Sequence, residues 1–235
     1  VRTAIVIPAF NEESSIGAVL DEIPREYADE VIVVDNGSTD RTAEIAAERG
    51  ASTLREERRG YGAACLKGIS HTGEDTDVIV ILDADHSDYP EDLPDILLPI
   101  QQDRADFVVG SRTLGRAERG ALPWNQRWGN ALATFLMRLF YGVRFTDMGP
   151  FRAIRRDHLL SYAMEDPTYG WNVEMQAKAI IAGSRIVEVP VRYRKRIGRS
   201  KITGTVRGTV LAGTKIIGTI FKYYPAYLRT RSEKK

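Results

Sequence analysis

Short apolar runs alternate with segments of helical period through the first half of the chain. Residues 3–8 form a β-branched apolar run. Polar residues 11–15 separate it from Ile16, Val19, Leu20 and Ile23, which share a helical face until Pro24 stops the helix. Residues 30–34 read as a second buried strand and Asn36-Gly37 as a turn. Asp40 is placed to cap a helix over 41–49, which Gly50 ends. A short strand at 51–55 leads through Gly60 and Gly62 into a helix, and the most apolar strand, 77–82, runs straight into Asp83-Ala84-Asp85. Pro90 opens another helix, and 106–110 is a further strand. This rhythm predicts an α/β fold, a mostly parallel sheet flanked by helices on both faces. In such sheets ligands collect at the carboxyl ends of the strands.

After Gly120 the pattern changes. A long helix is expected over 125–141, where Trp124, Trp128, Phe135, Phe140 and Tyr141 read mainly as core packing, with a lipid path as the alternative for some. A glycine- and proline-containing turn at 147–150 leads to a strand at 151–154, a helix over 171–181 and a strand over 185–194. With no repeat and no low-complexity tract, residues 1–201 are expected to form the main domain and 202–235 an amphipathic basic segment.

Composition narrows the class. At 235 residues, 43% hydrophobic and 28% charged, the chain can bury a sizeable core, which excludes disorder as its main state. One cysteine excludes an intramolecular disulfide and fits a reducing compartment. Three scattered histidines with that lone cysteine exclude the common structural zinc sites. No secretory signal pattern opens the sequence, and no stretch reaches the ~18 uncharged apolar residues of a membrane span. The net charge of +1 hides an asymmetry: from Arg192 onward thirteen Lys and Arg face only Glu233. An acidic body with a basic tail is suited to meeting something anionic.

Asp83 and Asp85 carry the strongest chemical signal. Two apart after an apolar strand, they point to one side and can address a single hard cation such as Mg²⁺ or Mn²⁺. Asp35, ending the second strand, can accept hydrogen bonds from a nucleotide base or ribose, or from its own turn. Pro8-Ala9-Phe10-Asn11-Glu12 ends the first strand with a stiff turn and a carboxylate. Gly60-Tyr61-Gly62 reads either as a phosphate-approaching helix start or as a tight turn, and His86, beside the acidic pair, as a surface loop residue with a ligand role as the alternative.

These segments resemble a known family. Pro8 to Glu12, Val34-Asp35-Asn36-Gly37-Ser38-Thr39-Asp40 and Asp83-Ala84-Asp85 are similar to the successive motifs of family 2 glycosyltransferases with the GT-A fold. Gly110-Ser111-Arg112, Gly149-Pro150-Phe151-Arg152, Trp171-Asn172-Val173-Glu174 and the run Arg196 to Lys201 resemble the dolichyl- or polyprenyl-phosphate mannose or glucose synthase branch. The resemblance implies a nucleotide-sugar donor (GDP-mannose or UDP-glucose type) held by Pro8, Ala9, Asn11, Glu12, Asp35, Asp83, Ala84 and Asp85. It places the metal on Asp83 and Asp85, and Arg112 near the phosphates. Arg127, Arg194, Arg196, Ser200 and Lys201 fall at positions for the acceptor phosphate. Where the branch often has a glutamine as a further metal ligand, Ser87 stands here, and Asp88 is the candidate replacement.

The resemblance implies inversion at the anomeric carbon and a catalytic part for Asp85 and Arg112. A phosphate acceptor is already anionic and needs no base. A hydroxyl acceptor does, and Glu174 is then the candidate. A sugar-1-phosphate nucleotidyltransferase is the more distant alternative, but its glycine-rich loop is missing. No base-reading module accompanies the basic tail, so no nucleic-acid partner is expected. In the tail, Val206, Val210, Gly213, Ile217, Ile220 and Tyr224 form one stripe with Arg207, Lys215 and Lys222 on the opposite flank. It reads as a helix lying on an anionic membrane at the cytoplasmic face, or packing on the domain, a second copy or a membrane partner subunit.

Overall fold

The computed structural model describes residues 1–198 and 206–233, the side chains of 206–210 excepted. Its sheet has seven strands: β1 Thr3–Ala9, β2 Glu30–Asp35, β3 Ser52–Arg55, β4 Val78–Ile81, β5 Phe107–Ala117, β6 Arg152–Arg155 and β7 Ile186–Tyr193. They lie in the order β3-β2-β1-β4-β6-β5-β7. All neighbours are parallel except β6, which runs against both β4 and β5. The sheet is therefore mixed. β6 enters from the carboxyl end of β5, because no crossover returns the chain to the opposite edge first.

The helices are α1 Ile16–Asp21, α2 Thr42–Glu48, α3 Tyr61–Ile69, α4 Leu93–Gln101, α5 Trp124–Tyr141, α6 Arg156–Ser161, α7 Trp171–Ala182 and α8 Val206–Glu233. Side chains alternate across the strands. Ile5 and Ile7 pack with Ile16 and Leu20 of α1 and Ile96 and Leu97 of α4. Val6, Ile32 and Val34 face the other way, against Ala64 and Cys65 of α3 and Trp171 and Met175 of α7. β5 continues beyond the expected end at 110, and its pairing with β7 is interrupted between Ser111 and Arg116.

A third cluster joins α5, α7 and α8 through Met137, Tyr141, Val173, Ala177, Ile220 and Tyr223. Tyr141 Oη donates to the Ile220 carbonyl at 2.7 Å, and Tyr227 Oη to the Tyr141 carbonyl at 2.8 Å. So the apolar stripe of the C-terminal helix packs on protein where its side chains are described: Ile220 is buried and Tyr224 partly so. α5 departs from expectation in the other direction. Tyr141 and Phe140 are packed, but Trp124, Trp128 and Phe135 are exposed. Its buried face is the Ala133, Met137 and Tyr141 side, and the tryptophans project from the opposite part of the helix surface. No described helix is long and apolar enough to cross a membrane.

Candidate active site

A cavity of about 400 Å³ opens at the carboxyl ends of β1 and β4, lined in part by Pro8, Ala9, Phe10, Glu12, Asp83, Ala84, Asp85 and Arg196. β4 carries the aspartate pair to its floor. Asp83 Oδ1 accepts a hydrogen bond from Tyr61 Oη at 3.0 Å. Burial and the neighbouring Asp85 charge push the Asp83 carboxyl up to about 7, against the Tyr61 bond and the Arg196 and Arg112 charges that lower it. Asp85 Oδ1 accepts from Ser87 N–H at 2.9 Å and Ser87 Oγ at 2.5 Å, and its Oδ2 lies 2.5 Å from Arg196 Nη2.

The segment after β7 straps this acidic turn. Arg194 N–H donates to the Ser87 carbonyl at 2.9 Å, and Ile197 N–H to the Asp85 carbonyl at 3.0 Å. Asp88 bridges Tyr193 through its backbone. Its carboxylate is buried with no hydrogen-bond partner among the described residues. Burial, then the Asp83 and Asp85 charges, raise its pKa far above the usual carboxylate range.

Glu12 is buried beside this floor. Its Oε2 accepts from Ser15 Oγ at 2.9 Å, and its N–H donates to Thr42 Oγ1 at 2.7 Å. Asn11, at φ 53°, takes Thr39 N–H on Oδ1 at 2.8 Å and ties the first two loops instead of lining the cavity. Asp35 is likewise a turn residue here, with Oδ1 accepting from Ser38 N–H at 2.9 Å. Its neighbour Asn36 lines the cavity and holds the Glu56 and Arg58 carbonyls. Arg59 lies over the Phe10 ring, 3.9 Å from its centroid, and donates to the Asn36 carbonyl. Tyr61 and the Arg59–Phe10 pair were not anticipated. Tyr61 sits inside the conspicuous Gly-Tyr-Gly, the one signal that could have exposed it.

The glycines of that motif have a packing cause. A Cβ at Gly60 would collide with the Pro167 carbonyl and one at Gly62 with the Asp166 carbonyl, and Ala63 N–H donates to the Pro167 carbonyl at 3.0 Å. The loop before α7 lies directly against the start of α3.

Arg112 and Arg127 meet elsewhere. With Arg119 they line a second cavity, about 610 Å³, between the β5 extension and α5. Asp147 grips Arg112 at 2.8 Å on Nε and 2.7 Å on Nη2, and the guanidinium faces the Tyr193 ring. Burial works against this charge, but Asp147 outweighs it and holds Arg112 protonated.

Two expected site residues are engaged structurally. Arg194 is bound by Glu22, donates to the His86 carbonyl at 2.7 Å and lies over Tyr89. His86, expected as a loose surface residue, meets the same Glu22 at 2.9 Å. Glu174 is fully buried and lines neither cavity. It accepts from Glu165 N–H at 3.0 Å, Asp166 N–H at 2.7 Å and Tyr223 Oη at 2.5 Å, with Lys178 Nζ 3.0 Å away. These bonds hold the loop against α3. Ser200 and Lys201 lie outside the described residues.

Residues 4–162 match glycosyl transferase family 2. The chain belongs to this family. The glycosyltransferase is 37% identical over 210 residues to an uncharacterised glycosyltransferase of Mycobacterium tuberculosis, covering 88% of this chain and 93% of that one. It is 35% identical over 214 residues to a dolichyl-phosphate hexose transferase of Haloferax volcanii, covering 88% and 90%. Among solved structures it resembles glucosyl-3-phosphoglycerate synthase from Mycobacterium tuberculosis in complex with Mn²⁺ and UDP-glucose. That TM-score is 0.77 at 22% identity, covering 95% of this chain and 79% of the other, and it establishes a shared fold.

Proposed function

We propose that this glycosyltransferase moves a hexose from a nucleotide-sugar donor to a polyprenyl phosphate, inverting the anomeric centre. The observation that carries the reading is the pairing of an aspartate-floored cavity with one where three arginines, Arg112, Arg119 and Arg127, outnumber the two acidic residues, Glu118 and Asp147. Arg112, in the second cavity, acts electrostatically on Asp83 in the first. A dolichyl-phosphate substrate in the name of a relative at 35% identity supports the acceptor class.

The donor set suits a divalent cation. Asp83 and Asp85 offer hard oxygens side by side, and the Asp88 carboxyl, without a hydrogen-bond partner among the described residues, is held neutral behind them until a nearby positive charge favours its ionised form. Among the described residues no group of three or more carboxylate, imidazole or thiol ligands is assembled. Two protein carboxylates, completed by water and phosphate oxygens, is the habit of Mg²⁺ or Mn²⁺. When bound, such an ion neutralises negative charge on the departing diphosphate.

In the reaction an acceptor phosphate oxygen forms the new bond to the anomeric carbon. The bond to the donor's β-phosphate oxygen breaks, and the nucleoside diphosphate leaves with the electron pair. Pro8, Ala9 and Glu12 shape the donor end of the cavity, and Arg59 on Phe10 gives it a cationic, flat wall. Arg196 brings a positive charge to the aspartates, and Arg119 and Arg127, neither ion-paired among the described residues, offer charges for the incoming phosphate beside Arg112, which Asp147 already holds. The anionic acceptor requires no proton removal. That agrees with Glu174, whose carboxylate is committed to backbone and tyrosine donors.

Incubation with labelled UDP-glucose or GDP-mannose, Mn²⁺ or Mg²⁺ and polyprenyl phosphate in detergent tests the proposal. Label is expected in the organic phase, with transfer cut about a hundredfold in Arg127→Ala. Product only on a hydroxyl acceptor or a soluble phosphate ester would overturn the acceptor assignment.

A further inference from the structure

Helix α5 carries two apolar faces, and among the described residues only one of them is covered. Ala133, Met137 and Tyr141 pack inward. On the other side Trp124, Trp128, Leu132, Phe135 and Leu139 are 76%, 72%, 45%, 59% and 62% exposed. At about 100° per residue these five fall within a sector of about 80°, running almost the full ~27 Å of the helix. A helix apolar nearly all round is one that something else covers.

The charges around the stripe indicate what that is. The eighteen residues of α5 contain Arg127 and Arg138 and no acidic residue. Both arginines lie to the same flank of the stripe, and Arg119 and Arg144 stand in the loops on either side of the helix. All four are exposed, and none makes an ion pair among the described residues. A second copy meeting this face antiparallel about a two-fold axis would set arginines against arginines, and in a parallel pair too no carboxylate on the helix would answer them. An anionic lipid surface answers both features. It accepts the apolar stripe at the level of the acyl chains and the arginines at the level of the phosphates. Tryptophan, with an apolar body and a polar N–H, is the side chain best suited to that boundary.

We infer that α5 docks the enzyme on an anionic membrane, lying in the interface with Trp124, Trp128, Leu132, Phe135 and Leu139 inserted. The C-terminal helix does not supply this face, because its described stripe is spent on α5 and α7. The second cavity shares Gln126, Arg127, Asn130, Ala131 and Thr134 with the same helix, so docking brings its mouth to the depth of lipid phosphates. The inference extends the polyprenyl-phosphate reading but is separable from it, since vesicles lacking any polyprenyl phosphate test docking alone and detergent assays test the acceptor alone.

The experiment is flotation of the whole chain with phosphatidylcholine vesicles, with and without phosphatidylglycerol, at low salt. Brominated lipids add a direct readout. Of three tryptophans, Trp171 is buried in the core, so quenching reports Trp124 and Trp128. Binding and quenching are expected on anionic vesicles, with both weakened by salt. The double variant Trp124→Ala/Trp128→Ala, altered only at exposed positions, is expected to melt like the parent and bind about tenfold or more weakly. Arg138→Glu is expected to weaken binding to anionic vesicles alone. No vesicle binding by the parent, or undiminished binding by the double variant, overturns the inference. So does self-association without lipid that the double variant abolishes, which would make the stripe a protein interface.

Discussion

Arg196 reaches across from the segment after β7 to place Nη2 2.5 Å from Asp85 Oδ2, while the next residue, Ile197, holds the Asp85 carbonyl by its N–H. The basic run and the acidic turn, far apart in the chain, are one construction. Its positive arm already lies on the carboxylate that a divalent ion is proposed to use.

Asp85→Asn should therefore separate metal use from nucleotide affinity. Transfer is expected to fall about a hundred- to a thousandfold. In thermal-shift titrations the stabilisation by nucleoside diphosphate should persist but lose its dependence on Mn²⁺. Equal Mn²⁺ dependence in parent and variant would remove Asp85 from the metal site.

Tyr61→Phe tests how Asp83 is held. The Tyr61 hydroxyl favours the ionised carboxylate, whose pKa burial and Asp85 raise to about 7. Without that bond the carboxyl should hold its proton to higher pH. The acid limb of Mn²⁺ affinity, measured by titration calorimetry, should then move upward from near neutrality.

Glu174→Gln distinguishes a structural carboxylate from a base. The amide would present N–H groups to existing donors and leave Lys178 without its buried partner, at a cost of about 2–4 kcal/mol in chemical denaturation. Whatever activity survives should keep the parent's pH–rate profile. Loss of the profile's acid limb would restore Glu174 as a base.

Two glycine replacements should act oppositely. Gly62→Ala drives a Cβ into the Asp166 carbonyl, with a destabilisation of about 3 kcal/mol expected. Gly129→Ala, on α5 with no atom near its added Cβ, should stabilise by about 0.5–1 kcal/mol through helix propensity. Thermal melts of the two variants check both signs.

Asp106 and Arg185, at the starts of β5 and β7, should give a pH-dependent contribution. Side-chain hydrogen bonds from Arg185 lead in holding the Asp106 carboxyl at about 2, against its burial. Because the folded pKa is depressed, the stabilisation is complete above the ordinary aspartate pKa of about 4 and is lost as pH falls through about 2. Asp106→Asn should cost about 1–2 kcal/mol at neutral pH, discounted for the half-exposed Arg185, only a few tenths of that near pH 2, and nothing well below it. A gap between the two denaturation curves that stays constant from pH 7 to pH 2 would refute this origin.

Local chemistry in the chain determined much of this protein. Apolar runs closed by Asp83-Ala84-Asp85 and by Pro8 to Glu12 located a strand-end site, and the structure puts Pro8, Ala9, Glu12, Ala84 and both aspartates on one cavity. Such features are legible because β-branched runs, turn residues and carboxylates at strand ends act through near neighbours. The third dimension decided which partner each long side chain found. Arg194 and Arg196 stand two apart with the same chemistry, yet one is bound by Glu22 and the other by Asp85. Glu174 became a buried clamp because a loop and Tyr223 converge on it. The apolar stripes of α5 and α8 have similar periodicity, and only packing reveals that α8 spends the described part of its stripe on α5 and α7 while α5, among the described residues, keeps one for the outside. Periodicity records that a face is apolar. What lies against it depends on residues distant in sequence, brought there by the closing of the fold.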